Sequence, residues 1–248
     1  MISIYNVSVT FSKNTPLEKK ALKSLTLNIE NGDFITVIGN NGAGKSTLQN
    51  ILAGNTLVDK GSISVDNIDI TNMSIHKRAE FIARVFQDPK AGTCENLTIA
   101  ENMSLAYDRG KDRYLTFAIN EKKREIFRTR LSDLGMNLEN RLDDLVGSLS
   151  GGQRQALSLL MATLSPAKLL LLDEHTAALD PKTDKQIMEL TNKLHKSYDL
   201  TILMITHNIK QAFEYGNRTI MMQNGQIIKD LRGSDRESIN YVDLLAAY

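Results

Sequence analysis

Residues 39–48 read "GNNGAGKSTL", with glycines at 39, 42 and 44, a lysine at 45 and hydroxyls at 46 and 47. Glycines let successive backbone N–H groups turn inward without a Cβ in the way, and a helix start adds partial positive charge. A loop of this kind suits a chain of phosphates. Gly39, Gly44, Lys45 and Ser46 fit the spacing G-x-x-x-x-G-K-[ST], and Asn40, Asn41, Gly42, Ala43 and Thr47 complete the turn. Lys45 offers a point charge to the outer phosphates, and Ser46 a hydroxyl to Mg²⁺, an ion that takes oxygen ligands and keeps several waters. By itself this cradle fits a kinase, a GTPase, a helicase or a transport motor equally well.

An acid pair stands at the end of "LLLLDEHTAALD". Open α/β sheets place their ligand chemistry at the carboxyl ends of strands, which is where Asp173 and Glu174 fall. Neighbouring residues on a strand point to opposite faces, so the two carboxylates can take different tasks. Asp173 is assigned to the Mg²⁺ shell and Glu174 to polarising an attacking water. A second helix start follows "LSGGQ" at 149–153: Ser150 is N-cap-like, and Gly151 and Gly152 expose N–H groups before Gln153. The chain therefore holds two anion-binding helix starts, one more than a simple nucleotide pocket needs.

These residues need a scaffold of alternating elements. "ISIYNVSVTF", "LKSLTLNIE" and "DFITVIG" read as strands, the last apolar enough to be buried on both faces, and "STLQNILAG" as a helix stopping at Gly54. "GSISVDNIDI" reads as paired short strands and "RAEFIARVFQD" as a short helix feeding a strand. From about 97 to 165 the spacing turns helical, and then "KLLLLD", "KTDKQIMELTNKLHKSY", "LTILMITH", "NIKQAFEYG" and a hairpin around Asn224-Gly225 resume the alternation. A short helix is expected after about 236. This order predicts an α/β fold with a mostly parallel sheet covered on both faces and interrupted by a helical block.

Composition narrows the partners. Thirty basic against 29 acidic residues, a formal charge of +1, offer no bulk attraction to nucleic acid, and none is expected. The single cysteine, Cys94, can form neither an intrachain disulfide nor a cysteine metal cluster, which fits a reducing compartment. "MISIYNVSVTF" alternates like a strand and lacks the layout of a signal peptide, and no apolar run reaches the roughly 18 to 20 residues of a membrane-spanning helix. If the protein serves a membrane, another chain is expected to do the spanning.

The cradle, Gln87 after "RVF", "LSGGQ", the acid pair, "AALD" at 177–180 and His207 after "LMIT" stand in an order that resembles the ATP-binding cassette (ABC) ATPases over nearly the full length. The resemblance implies a P-loop NTPase core (about 1–88 and 166–248) with an N-terminal antiparallel β subdomain, and an inserted helical subdomain (about 89–165). It implies a head-to-tail homodimer in which ATP lies between the cradle of one subunit and the Ser150 loop of the other, so the cradle is half a site. It further implies that Gln87 senses Mg²⁺ and the attacking water and couples to a membrane partner, that His207 contacts the γ-phosphate, and that Asp180 crosses the dimer contact. Phe11 is similar to the aromatic residue that stacks on adenine, with Tyr5 as the fallback, and either ring could instead be core packing. His175 stands where that family usually carries proline and is expected at the surface or an interface.

"EHTAALDP" with "SGGQRQALSLLMATL" resembles a bacterial subgroup whose cassettes pair with a separate transmembrane permease and an extracytoplasmic binding protein. Some of its members are associated with uptake of aromatic amino acids. The expectation is an ATP- and Mg²⁺-dependent motor of an importer, held at the cytoplasmic face of the membrane by its permease. The alternative is a soluble cassette acting on nucleic acid or the ribosome. Such proteins carry fused cassettes, long coiled-coil insertions or zinc-binding cysteines, none of which is evident here. A GTPase is disfavoured because "NKLH" at 192–195 fails the guanine-reading NKxD pattern at its last position.

Overall fold

The computed structural model describes residues 1–110 and 119–238. Strands β1 (Ile2–Phe11), β2 (Lys19–Ile29) and β3 (Phe34–Ile38) precede helix α1 (Lys45–Ala53), and β4 (Lys60–Val65), β5 (Ile68–Asp69), α2 (Ile75–Arg78) and β6 (Ile82–Val85) come after it. Next are α3 (Ile99–Tyr107), α4 (Glu121–Ser132) and α5 (Gly151–Thr163). The chain then alternates through β7 (Leu169–Asp173), α6 (Pro181–Tyr198), β8 (Ile202–Ile205), α7 (Ile209–Glu214), β9 (Arg218–Gln223), β10 (Gln226–Arg232) and α8 (Gly233–Ser238).

Two sheets result. One has the order β2-β1-β4-β5 and pairs antiparallel; the other has the order β10-β9-β3-β8-β7-β6 and is parallel except at β10. β10 returns on β9 through Asn224 (φ 49°) and Gly225 (φ 80°), the pair of left-handed residues that a tight hairpin demands. The fold is thus the α/β arrangement expected, with an antiparallel sheet beside a mostly parallel one.

β7 shows how the leucine run is used. Leu170 and Leu172 face a core shared with Met103, Leu157, Leu160 and Ile187 of the helices. Leu169 and Leu171 face the opposite core, with Leu48, Ile51 and Leu52 of α1 and with Ile4, Leu27 and Ile63 of the antiparallel sheet. A strand with apolar residues at successive positions is buried on both faces, so its carboxyl end is a rigid mount for the acid pair.

The helix expected within "RAEFIARVFQD" lies earlier: α2 ends at Arg78, where that stretch begins. Arg78 is 1% exposed, and its guanidinium donates to the carbonyls of Ile51, Leu52 (3.1 Å), Thr71 (2.7 Å) and Met73 (3.1 Å). Those bonds tie the chain to the last turn of α1, whose carbonyls lack helical partners. At the other end α8 starts at Gly233, and the remainder of the expected C-terminal helix lies outside the described residues.

Candidate functional site

The loop between β3 and α1 is shaped by its glycines. Gly39 has φ 148°, and a Cβ there would lie 2.2 Å from the Met222 carbonyl oxygen; Gly44 has φ 106°, and its Cβ would lie 2.7 Å from the Ala21 carbonyl oxygen. Strands β9 and β2 thus press on the loop where a side chain has no room. Gly225 N–H donates to the Ala43 carbonyl (2.9 Å), so the β9–β10 turn holds it from outside. Lys45 folds back over the loop and donates to the carbonyls of Gly39 and Asn40 (3.2 Å for the latter). Burial pushes its pKa down, while the charge of Glu174 opposes that shift. A lysine held this way keeps its ammonium on the loop.

A cavity of about 180 Å³ opens on this loop, lined among others by Phe11, Lys19, Lys45, Ser46, Thr47 and Glu174. Neither Phe11 (42% exposed) nor Tyr5 (65% exposed) is core packing, and Phe11 is the ring that borders the cavity. Lys19, which sequence reasoning passed over, brings a second cation: its Nζ lies 3.3 Å from where a Gly42 Cβ would be. In "LEKK" nothing marked it beyond an ordinary solvated lysine.

Asp173 closes β7 and pairs with Ile205 of β8, whereas Glu174 leaves the strand at φ 45° with its N–H on the Ile205 carbonyl (3.0 Å). The two carboxylates do part, but through a left-handed turn at Glu174 and not by strand alternation. A non-glycine residue in that region is rare and is held by its surroundings. Glu174 Oε2 meets His207 Nε2, which reaches over from the end of β8. Asp173 Oδ2 accepts from Arg84 Nη2 at 2.7 Å. Arg84 was not singled out by sequence reasoning either, although it lies in the quoted "RVF". Gln87 is exposed just beyond β6 and is not among the residues lining the cavity.

The second helix start stands apart. Ser150 caps α5: its hydroxyl accepts from Gln153 N–H (3.2 Å) and Gln153 Oε1 accepts from Ser150 N–H (3.2 Å), a reciprocal capping box. Ser150 and Gly151 are exposed, and no residue of 149–153 lines the cavity at the cradle. Asp180 caps α6, its Oδ1 accepting from the N–H groups of Lys182 and Thr183 (3.1 Å each); the hydrogen bonds with Thr183, first of several, hold its pKa below the usual carboxylate range. The two caps adjoin, since a Cβ on Gly152 would fall 2.4 Å from Thr183 Cγ2.

His175 corrects an expectation. It is 2% exposed, inside the protein and not at its surface, with Nε2 3.1 Å from the Thr191 hydroxyl of α6, and burial pushes its pKa down to about 4.

The Ser46 hydroxyl lines the cradle cavity, and the Asp173 carboxylate stands one residue before Glu174, which lines it too; both are oxygen donors of the kind that suits a hard cation. Among the described residues no group of three or more His, Cys, Asp or Glu could hold a metal. Among them, too, no helix is long and apolar enough to cross a membrane.

A family model described as "ABC transporter" matches residues 22–177. A tyrosine transport ATP-binding protein of Clostridioides difficile is 41% identical over 248 residues, covering 100% of this chain and 98% of the relative. A methionine import ATP-binding protein, MetN, of Streptococcus agalactiae is 31% identical, covering 96% of this chain and 67% of the relative. Among solved structures, the dimeric post-hydrolysis state of the ATP-binding cassette MJ0796 bound to ADP and Pi aligns with a TM-score of 0.78 at 29% identity, over 94% of this chain and 98% of that one. The cbiO1 protein of Clostridium perfringens, part of the transporter complex cbiONQ, aligns at 0.80 and 27%, over 99% and 93%.

Proposed function

The chain belongs to the ABC transporter family, whose ATP-binding subunits hydrolyse ATP with Mg²⁺, and on that premise we propose that it is the motor of an importer working as a head-to-tail homodimer on a separate permease. One observation carries this reading. The cradle cavity is lined by the loop itself, by Phe11, Lys19 and Ala21 of the antiparallel sheet and by Glu174, and the exposed Ser150 loop offers a second set of helix-start N–H groups that this cavity does not use. A second copy supplies what is missing: its Ser150, Gly151, Gly152 and Gln153 close on the γ-phosphate held by the first.

Roles follow from position. N–H groups of residues 39–47 and the Lys45 ammonium hold the phosphates, and Phe11 stacks on the base. Ser46, Asp173 and Gln87 would hold Mg²⁺, which would offset phosphate charge when bound. Glu174 takes a proton from the attacking water as its oxygen bonds to the γ-phosphorus; the bond to the β–γ bridging oxygen breaks and ADP leaves with that electron pair. His207, seated on Glu174, orients it and reaches the γ-phosphate. Asp180, beside the Ser150 loop, belongs to the dimer contact. Loss of the γ-phosphate removes what joins the two copies, so the dimer opens. We place the division between core and helical block near 88 and 166, and the chain at the cytoplasmic face of the membrane on its permease, fed by an extracytoplasmic binding protein.

For cargo we propose an aromatic amino acid, tyrosine first. The support is the full-length similarity to a tyrosine transport ATP-binding protein. Light scattering of Glu174→Gln with ATP tests the dimer: an ATP-dependent doubling of mass is expected, and a protein that stays monomeric both alone and with its permease would contradict it. Binding of tyrosine to a binding protein that delivers to the same permease tests the cargo, and a receptor that ignores tyrosine would overturn it.

A further inference from the structure

Arg84 lies on β6 opposite Leu171 of β7, so its side chain shares a sheet face with Asp173, two residues further along the neighbouring strand. It is held from three sides. Nη2 donates to Asp173 Oδ2 (2.7 Å), Nη1 donates to Asn50 Oδ1 on α1 (2.9 Å), and the guanidinium carbon stands 5.0 Å from the Phe86 ring centroid. The pair is mostly shielded, with side chains 15% and 22% exposed. Nε is buried and has no hydrogen-bond partner among the described residues. An arginine that leaves a donor unpaired to keep this pose is placed by its charge, and a guanidinium does not deprotonate in a protein.

We propose that Arg84 is an internal counter-cation for Asp173, so that a divalent ion gains this carboxylate only when nucleotide phosphates arrive with it. This rests on the assignment of Asp173 to the metal shell. A hydrogen-bonding partner behind a metal ligand ordinarily strengthens metal binding by orienting the ligand. Here the partner is itself a permanent cation on the same carboxylate, and like charges repel strongly where water is largely excluded. A lone Mg²⁺ therefore meets a carboxylate already neutralised, whereas Mg²⁺ bound to phosphates arrives with its charge offset. The consequence is an order of binding: nucleotide with metal, never metal first. Because Arg84 also grips α1 and Phe86, next to Gln87, the same exchange bears on the strand end leading to the Gln87 loop.

Manganese(II) binding, followed by electron paramagnetic resonance with and without ADP, tests this without any turnover. Arg84→Met and Arg84→Gln are expected to bind Mn²⁺ in the nucleotide-free chain about tenfold more tightly than wild type, the size of effect typical of groups behind metal ligands. Arg84→Lys keeps the charge and stays near wild type. In an Asp173→Asn background the gain disappears. If both neutral variants fold by circular dichroism yet bind Mn²⁺ no more tightly, while Asp173→Asn weakens Mn²⁺ binding with ADP, the counter-cation idea alone is wrong. If Asp173→Asn leaves Mn²⁺ binding with ADP unchanged, the metal assignment of Asp173 falls, and this inference with it.

Discussion

His175 Nε2 lies 3.1 Å from the hydroxyl of Thr191, and that hydroxyl in turn donates to the Ile187 carbonyl at 2.8 Å. With that hydrogen spent on Ile187, the His175 Nε2–H donates to Thr191, the imidazole is buried against α6, and burial pushes its pKa from 6.5 to about 4. In the unfolded chain it returns to the ordinary histidine value, so below pH 6.5 the unfolded state binds a proton that the folded state refuses. Stability contributed here is complete above pH 6.5 and is lost as pH falls toward 4, by about 3 kcal/mol in all. Urea denaturation of wild type and His175→Phe at pH 7.5, 5.5 and 4.5 checks this, pH values chosen to bracket the window at roughly the two pKa limits. The difference between the two proteins should shift against wild type as pH falls, and parallel pH dependences would contradict it.

Lys45 is buried and bonded to the carbonyls of Gly39 and Asn40, so its ammonium is positioned before any phosphate binds. Removing it takes this donor from both carbonyls and the central charge from the cradle. A charge-assisted hydrogen bond contributes about 1.5–3 kcal/mol, so Lys45→Ala should weaken ATP binding roughly 10- to 150-fold. Titration with a fluorescent ATP analogue measures it. The fold should be kept, because the hydrogen bonds of Lys45 to the Gly39 and Asn40 carbonyls lie within the loop.

The contrast between Lys45 and Arg84 shows what a sequence can reveal. The cradle was legible because its residues are consecutive and each choice answers a local backbone demand. The leucines of β7 and the Asn224-Gly225 hairpin were legible for the same reason. Arg84 meets Asp173 across 89 positions and His175 meets Thr191 across 16, and neither pairing leaves a local trace. The position of α2 was not legible because Arg78, an outward-looking charge by composition, is buried capping α1. Buried polar residues with distant partners are where pattern reasoning fails, since it treats charge as surface.

Glu174 and His207 touch, yet their removal should have different effects on binding and turnover. General base catalysis contributes about 10²–10⁴-fold, and Glu174→Gln should lose turnover on that scale while still binding ATP. His207→Ala removes the group that orients Glu174 but leaves the carboxylate, so a smaller loss is expected. Phosphate release under saturating ATP separates the two. Wild-type turnover by Glu174→Gln would remove it as the base.

Gly152 sits where α5 meets the start of α6, with no room for a methyl group beside Thr183 Cγ2. Gly152→Ala improves helix propensity by about 1 kcal/mol, but the forced shift at Thr183 outweighs that gain. The expected result is a lower melting temperature and weaker ATP-driven dimerisation, with ATP binding to the monomer unchanged because no residue of 149–153 borders the cradle cavity. Thr183→Ser removes the clashing carbon and should restore much of the stability in the double variant. Failure of that rescue would assign the loss to some other contact.

Phe11 and Tyr5 both present exposed rings, but only Phe11 borders the cavity over the cradle. Stacking of an aromatic side chain on a nucleic-acid base contributes about 1–3 kcal/mol by alanine substitution, so Phe11→Ala should weaken ATP binding roughly 5- to 150-fold. Tyr5→Ala should leave it unchanged. Inorganic triphosphate separates base from phosphate recognition, since its competition for the cradle should be the same in wild type and Phe11→Ala. Loss of triphosphate binding in Phe11→Ala would mean that the ring supports the loop and does not hold the base. A Tyr5→Ala protein with weakened ATP binding would move the base from the end of β1 to Tyr5 within the strand.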